Sequence, residues 1–169
     1  MGYINTPVSQ FVPPNLHHCV TGVWTDTAGS VAGTIAKRKT ATAETSIVNI
    51  PILLPSSINS AYAKGAYLTS IEVDYEVTVA ALTSLTAALS KISRGADTVG
   101  LTVTTPVVTQ DLVAATTAAT VAKHKMIIAL TTPIWISNLE YCLLKLTSIA
   151  PATTVVDLLG AIANFTLKL

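Results

Sequence analysis

Between Tyr67 and Val79 the chain alternates with a period of two. Tyr67, Thr69, Ile71, Val73, Tyr75, Val77 and Val79 interleave with Leu68, Ser70, Glu72, Asp74, Glu76 and Thr78. Six of the seven odd positions are apolar or aromatic, and five of the six even ones are polar. Successive side chains of an extended chain point to opposite faces, so the pattern yields one apolar and one polar face. Wound as a helix, it would scatter Glu72, Asp74 and Glu76 around the circumference and leave no apolar stripe. The segment is therefore a strand, with positions 71, 73, 75, 77 and 79 expected to be buried.

Other strands follow the same logic. Ser46–Leu54 alternates through Val48, Ile50, Ile52 and Leu54 and stops at Pro55, with Pro51 marking an edge or a bulge. Thr98–Thr104 sets Val99, Leu101 and Val103 together, and Lys125–Thr131 and Ile134–Ile136 flank a break at Thr132-Pro133. Glu140–Thr147 and Asn164–Leu169 complete the series, the last as part of a terminal strand pair or one long strand. Leu82, Leu85, Leu89 and Ile92 have helical spacing, while Ala87, Leu89 and Lys91 fit a strand equally. A hairpin return after Val79 favours a strand over 86–93, with Arg94-Gly95-Ala96-Asp97 as the next turn. The Ala/Thr run at 114–122 fits a helical turn or a loop. About eight short strands, with turn signals roughly every 8–15 residues, predict an all-β fold: an antiparallel β-sandwich, jelly-roll-like, over residues 19–169. Residues 1–18 carry Pro7, Pro13 and Pro14 and no periodicity, which predicts an extended N-terminal arm.

Charge then narrows the function. Only 11% of residues are charged while 50% are hydrophobic, and mean hydropathy is +0.58. A soluble domain carries roughly 25% charged residues. No apolar run reaches the ~18 residues of a spanning helix. Nine aromatics and no signal peptide do not furnish the two girdles of an outer-membrane barrel, so no membrane partner is expected. The surplus apolar surface is expected against other protein subunits. Ten basic and nine acidic residues leave a net charge of +1 with no basic arm, which excludes a nucleic-acid partner. The one basic run, Lys37-Arg38-Lys39, reads as a solvated loop. Met1–Pro7 has neither the charged nor the apolar region of a signal peptide, so synthesis in a host cytoplasm is expected.

The sequence holds no catalytic signature. Nucleophile elbow, P-loop, dinucleotide fingerprint and Cys-x-x-Cys are all missing, so no enzyme activity and no cofactor are expected. His17-His18-Cys19 offers metal ligands, but neighbours in an extended segment diverge and a tetrahedral site needs a fourth group; no metal site is expected. His124, between two lysines, reads as a strand-edge surface residue. Cys19 and Cys142 are expected to be reduced core residues. Trp24 and Trp135 are expected in the core or an interface rather than under a sugar ring. Glu72, Asp74 and Glu76 recur about 6.8 Å apart on one face, too wide for one cation. They read as a solvated face or as an acidic stripe meeting cations of a neighbour. The candidate assembly residues are these three acids together with Tyr3, Ile4, Phe11, Val12 and Leu16 of the arm.

Several segments carry a resemblance. They are Ile50-Pro51-Ile52-Leu53-Leu54-Pro55, Lys64-Gly65-Ala66-Tyr67 with Ile71–Val77, Leu130–Trp135 with Glu140-Tyr141, and Gly160–Leu167. In style and strand pattern, residues 45–169 resemble small virion proteins of tailed bacteriophages, the β-sandwich cement or decoration proteins that sit on capsids, often as trimers. The resemblance implies a location on a virion, self-association as a homotrimer, and the major capsid protein or another virion protein as partner. It carries over no functional residue. A glycan- or receptor-binding head of a fibre or spike is the alternative, and it expects Trp24, Trp135 or tyrosines exposed in a shallow groove.

Overall fold

The computed structural model describes residues 5–29, 34–54, 65–94, 101–110, 119–137 and 139–168. Twelve strands and one 3₁₀ turn occur among them. The strands are β1 (Asn5–Val12), β2 (His18–Thr21), β3 (Trp24–Ala28), β4 (Ile35–Lys39), β5 (Glu44–Ile52) and β6 (Gly65–Thr78). They continue as β7 (Ser84–Arg94), β8 (Leu101–Thr104), β9 (Val108–Gln110), β10 (Ala122–Ser137), β11 (Glu140–Ala150) and β12 (Val155–Lys168). The 114–122 run lies mostly outside the described residues.

Two antiparallel sheets face each other. Sheet A runs β3-β4-β12-β6-β10-β9, with β1 also on β12, and sheet B runs β2-β5-β11-β7-β8. From β4 the chain alternates between the sheets through β5, β6 and β7, returns to sheet A at β9, and crosses again at β11 and β12. The kernel β4-β12-β6-β10 over β5-β11-β7-β8 is the double Greek-key order of a jelly roll. The expected sandwich is thus present, with its eight-strand kernel extended by short edge strands.

Alternation fills the interior. Ile71, Val73, Tyr75 and Val77 of β6 meet Val48, Ile50 and Ile52 of β5, and Leu144 and Leu146 of β11, in one core cluster. Burying such side chains contributes about 1.5–3 kcal/mol each. Two positions of the expected register differ. Val79 is 73% exposed and has φ +72°, so it belongs to the turn after β6 and not to the core. Farther back, Ser70 pairs with Asn164 and Ala129, whereas Leu68 pairs with Phe165 and Ile134. Thr69 is the extra residue, its hydroxyl donating to Asn164 O at 3.0 Å. This bulge reverses the faces, so Leu68 and Ala66 turn inward and Tyr67 outward.

The expected break at Thr132-Pro133 is an irregularity within the continuous strand β10. Pro51 is tolerated because β2 pairs no farther along β5 than Asn49, leaving that side an open edge. Residues 155–168 form one long strand. Lys37-Arg38-Lys39 is no solvated loop but strand β4. Lys39 is fully buried, its Nζ donating to Thr40 O (2.8 Å) and Thr42 O (2.7 Å) and lying 3.6 Å from Glu44 Oε1.

The N-terminal segment is extended, but β1 pairs with β12 of the same chain from Asn5–Lys168 to Val12–Ala161. Val12 is buried in the chain's own core, so as an assembly residue it is corrected: it has no surface left for a neighbour. Phe11 and Leu16 remain exposed, and Tyr3 and Ile4 lie outside the described residues. β4 and β1 lie end to end along one side of β12, and the pairing slips between Leu158 and Gly160 where one gives way to the other.

Candidate functional site

Ionisable groups capable of chemistry are dispersed. No group of three His, Cys, Asp or Glu that could hold a metal occurs among the described residues. His17 is buried beside the 3₁₀ turn, and burial lowers its pKa to about 4, while His18 is exposed. Cys19 and Cys142 are free thiols, and burial pushes Cys142 up to about 12. His124 is half-buried where, among the described residues, β10 pairs with β6 alone; its ring stacks on Tyr75 at 5.1 Å, and Nε2 lies 2.7 Å from Thr120 O. Between the sheets, Ser46 and Ser148 share a 2.6 Å hydrogen bond at a cavity of about 10 Å³, too small for a ligand. Trp24 lines that cavity and donates its ring N–H to Thr21 O (3.0 Å), so it faces inward.

One polar cluster closes an end of the sandwich. The Glu140 carboxylate accepts from Lys91 Nζ (2.9 Å), Ser93 Oγ (2.8 Å) and Ser137 N (2.9 Å), and Lys91 also donates to Trp135 O (2.7 Å). Burial alone would raise the Glu140 pKa. The donors outweigh it and hold the carboxyl down at about 2. All these groups satisfy one another and tie β7 and β11 to β10, which is a structural task.

The outer face of sheet A is charged. Its register sets Thr25, Arg38, Asp157, Glu76 and Lys123 in one row across β3, β4, β12, β6 and β10. Arg38 grips Asp157 through two 2.7 Å hydrogen bonds. Lys125 lies 2.9 Å from Glu72, and Asn164 Nδ2 donates to Glu72 at 3.1 Å; with the lysine bond leading, these hold the Glu72 carboxyl below its ordinary range. Asp74 sits opposite Lys125 and Glu76 opposite Lys123. The acidic stripe therefore runs beside cations of its own chain. Composition could reveal the acids, whereas the β10 lysines that face them needed the register.

Two aromatic rings lie on this face against glycines. A methyl on Gly65 would come within 2.7 Å of the Trp135 ring, which meets Tyr67 edge-on at 5.1 Å. Phe11 covers Gly160 in the same way.

The outer face of sheet B is different in kind. Its rows read Tyr141, Ile92 and Val103, then Pro51, Leu143 and Ser90, then Asn49, Lys145 and Ala88, then Ile47, Thr147 and Thr86. Leu53 and Leu101 continue the apolar end, and both are exposed. Ile92 is buried without belonging to the core between the sheets. The charged side chains on this face, among the described residues, are Lys145 and Arg94. Sequence reading missed this surface, although Leu53, Ile92, Leu101, Val103, Tyr141 and Leu143 were all visible. What assigns them to one face is the pairing of β7, β8 and β11.

No protein-family model matches the chain, and no curated protein matches it. One similar solved structure comes from work on the promiscuous specificity of carbohydrate-binding modules of the β-sandwich superfamily. Identity is 9%, the match covers 91% of this chain and 54% of that one, and the TM-score is 0.39. The chain thus spans about half the length of that protein. Likeness at this level carries no functional argument.

Proposed function

We propose that the chain is a non-enzymatic structural protein of a virus particle, of the cement or decoration type, that coats or stabilises a shell through protein–protein contact. The observation that carries this reading is the outer face of sheet B: a broad, nearly charge-free surface with exposed Leu53, Leu101 and Val103. Soluble monomers rarely leave a contiguous apolar patch beyond a few hundred Å² uncovered. Jelly rolls serve both virus shells and lectins, so the fold is compatible with the reading without deciding it. The test is to add the purified protein to shells of the parent virus that lack it and sediment them. Saturable, stoichiometric co-sedimentation is expected, and protein left in the supernatant would contradict the reading.

One observation favours a second reading, a glycan-binding head. The Tyr67–Trp135 pair on the outer face of sheet A offers an aromatic surface of the kind that stacks on sugar rings. A glycan array separates the two, since binding abolished by Trp135→Ala belongs only to the second.

A further inference from the structure

We infer that His17 is an acid-sensitive latch on the N-terminal strand: its protonation frees β1 from β12 while both sheets stay folded. The device goes beyond the assembly reading and holds whatever the chain binds. Little else secures the strand. Among the described residues, β1 pairs with β12 alone. Between Thr6 and His17 the buried side chains are Val12, Pro14 and His17, so one of three anchors can ionise. His17 also sits where the chain leaves sheet A for sheet B, between the 3₁₀ turn Pro14–Leu16 and the start of β2. That turn packs on β4 and β12, and the backbone of Val12, the last residue of β1, bonds the ring. Burying an imidazolium here costs more than that bond returns, so the ring in place has a pKa of about 4. Swinging out with the arm restores water and the ordinary 6.5.

Among the described residues, the charges around the ring supply no counter-ion. β4 contributes Lys37, whose ammonium lowers the pKa further and is already bound to Asp26 at 2.6 Å. Arg38 is turned to Asp157, and Lys39 to Glu44. On β2, His18 is exposed and burial raises the Cys19 thiol. Neither β1 nor Ala161–Leu167 of β12 carries a titratable side chain. Glu72 accepts from Asn164, the partner of Ser9, and stays ionised above pH 5 because Lys125 holds its carboxyl below the ordinary 4.5. Between pH 7.5 and 5, then, His17 is the group whose proton uptake the arm controls.

Hydrogen exchange on the full chain tests the latch, with rates corrected for the intrinsic effect of pH. The opening constant of β1 should rise about 30-fold from pH 7.5 to pH 5. Freeing the strand uncovers little surface, so about 1 M urea should hardly change that constant, whereas opening of β6 and β11 should rise with urea. His17→Leu and His17→Gln cannot charge, and β1 should lose its pH dependence in both. Protection of β1 that matches β6 at both pH values and in urea would overturn the latch, because the strand would then leave only with the whole molecule. A 30-fold rise that persists in either variant would overturn it too, by assigning the opening to another group.

Discussion

The ring of Phe11 lies across Gly160, so close that a methyl there would come within 2.5 Å of Cε2. Gly160 has φ +142°, backbone that other residues adopt only under strain, and it marks the point on β12 where pairing passes from β4 to β1. An aromatic covering a strand glycine restores packing that the glycine lacks. One small residue thus fastens the N-terminal strand to the sheet.

Gly160→Ala should therefore cost about 2–3 kcal/mol, through strain and displacement of the ring. Urea unfolding measures the loss, and hydrogen exchange should show reduced protection in residues 5–12 before the rest of sheet A. Phe11→Ala in the same chain should recover part of the stability. Additive effects of the two changes would show that ring and glycine are independent.

The turn after β6 makes the opposite prediction. Val79, β-branched at φ +72°, is held where branched side chains rarely sit. Val79→Gly should stabilise by about 0.5–1 kcal/mol. Six residues earlier, Val73→Asp would bury an unpaired carboxylate and should cost several kcal/mol. Equal melting temperatures for the two variants would mean the register of β6 is misassigned.

In the basic triplet, neighbouring lysines should behave differently. Lys39→Ala leaves Thr40 O, Thr42 O and Glu44 without their buried donor, and should cost about 3 kcal/mol. Lys37 pairs with exposed Asp26 at 2.6 Å, and Lys37→Ala should cost less than about 1 kcal/mol. Chemical denaturation of the two variants checks the difference.

Two pH windows should be separable. His17 falls from 6.5 to about 4 on folding because burial disfavours its charged form, which the backbone of Val12 offsets only in part. The unfolded chain binds that proton first, so stability present above pH 6.5 is lost as pH falls toward 4, by about 3 kcal/mol at most. Glu140 drops from 4.5 to about 2, so its contribution is present above pH 4.5 and disappears between 4.5 and 2. His17→Leu should flatten the first window and leave the second. A wild-type slope between pH 6.5 and 4 that survives this change would remove His17 as its cause.

Period-two patterns located β5, β6 and β11, because each has one face in the core and alternation records that burial, whereas β7 followed only from the hairpin return after β6. Strands β1 to β4 carried no such record. β2 and β3 are short edge pieces, β1 is interrupted by Pro7, and in β4 the inward positions belong to Lys39 and Lys37, whose charges are met by the fold and not by the pattern. The Thr69 bulge was equally invisible: a hydroxyl in an alternating run looks like a tolerated exception, and only the partners on β10 and β12 show that it shifts the register. Surfaces were less legible than strands. The acids of β6 are visible as a row, yet their meaning depends on lysines about fifty residues away, and the apolar face of sheet B exists only once four strands are aligned.

The central claim is that the chain completes itself by covering sheet B with protein. Co-sedimentation of the purified wild type and of Leu53→Glu/Val103→Glu with shells that lack the protein tests it most directly. The account predicts saturable binding of the wild type that the double variant loses; wild type left in the supernatant, or a double variant that binds as well, would contradict it.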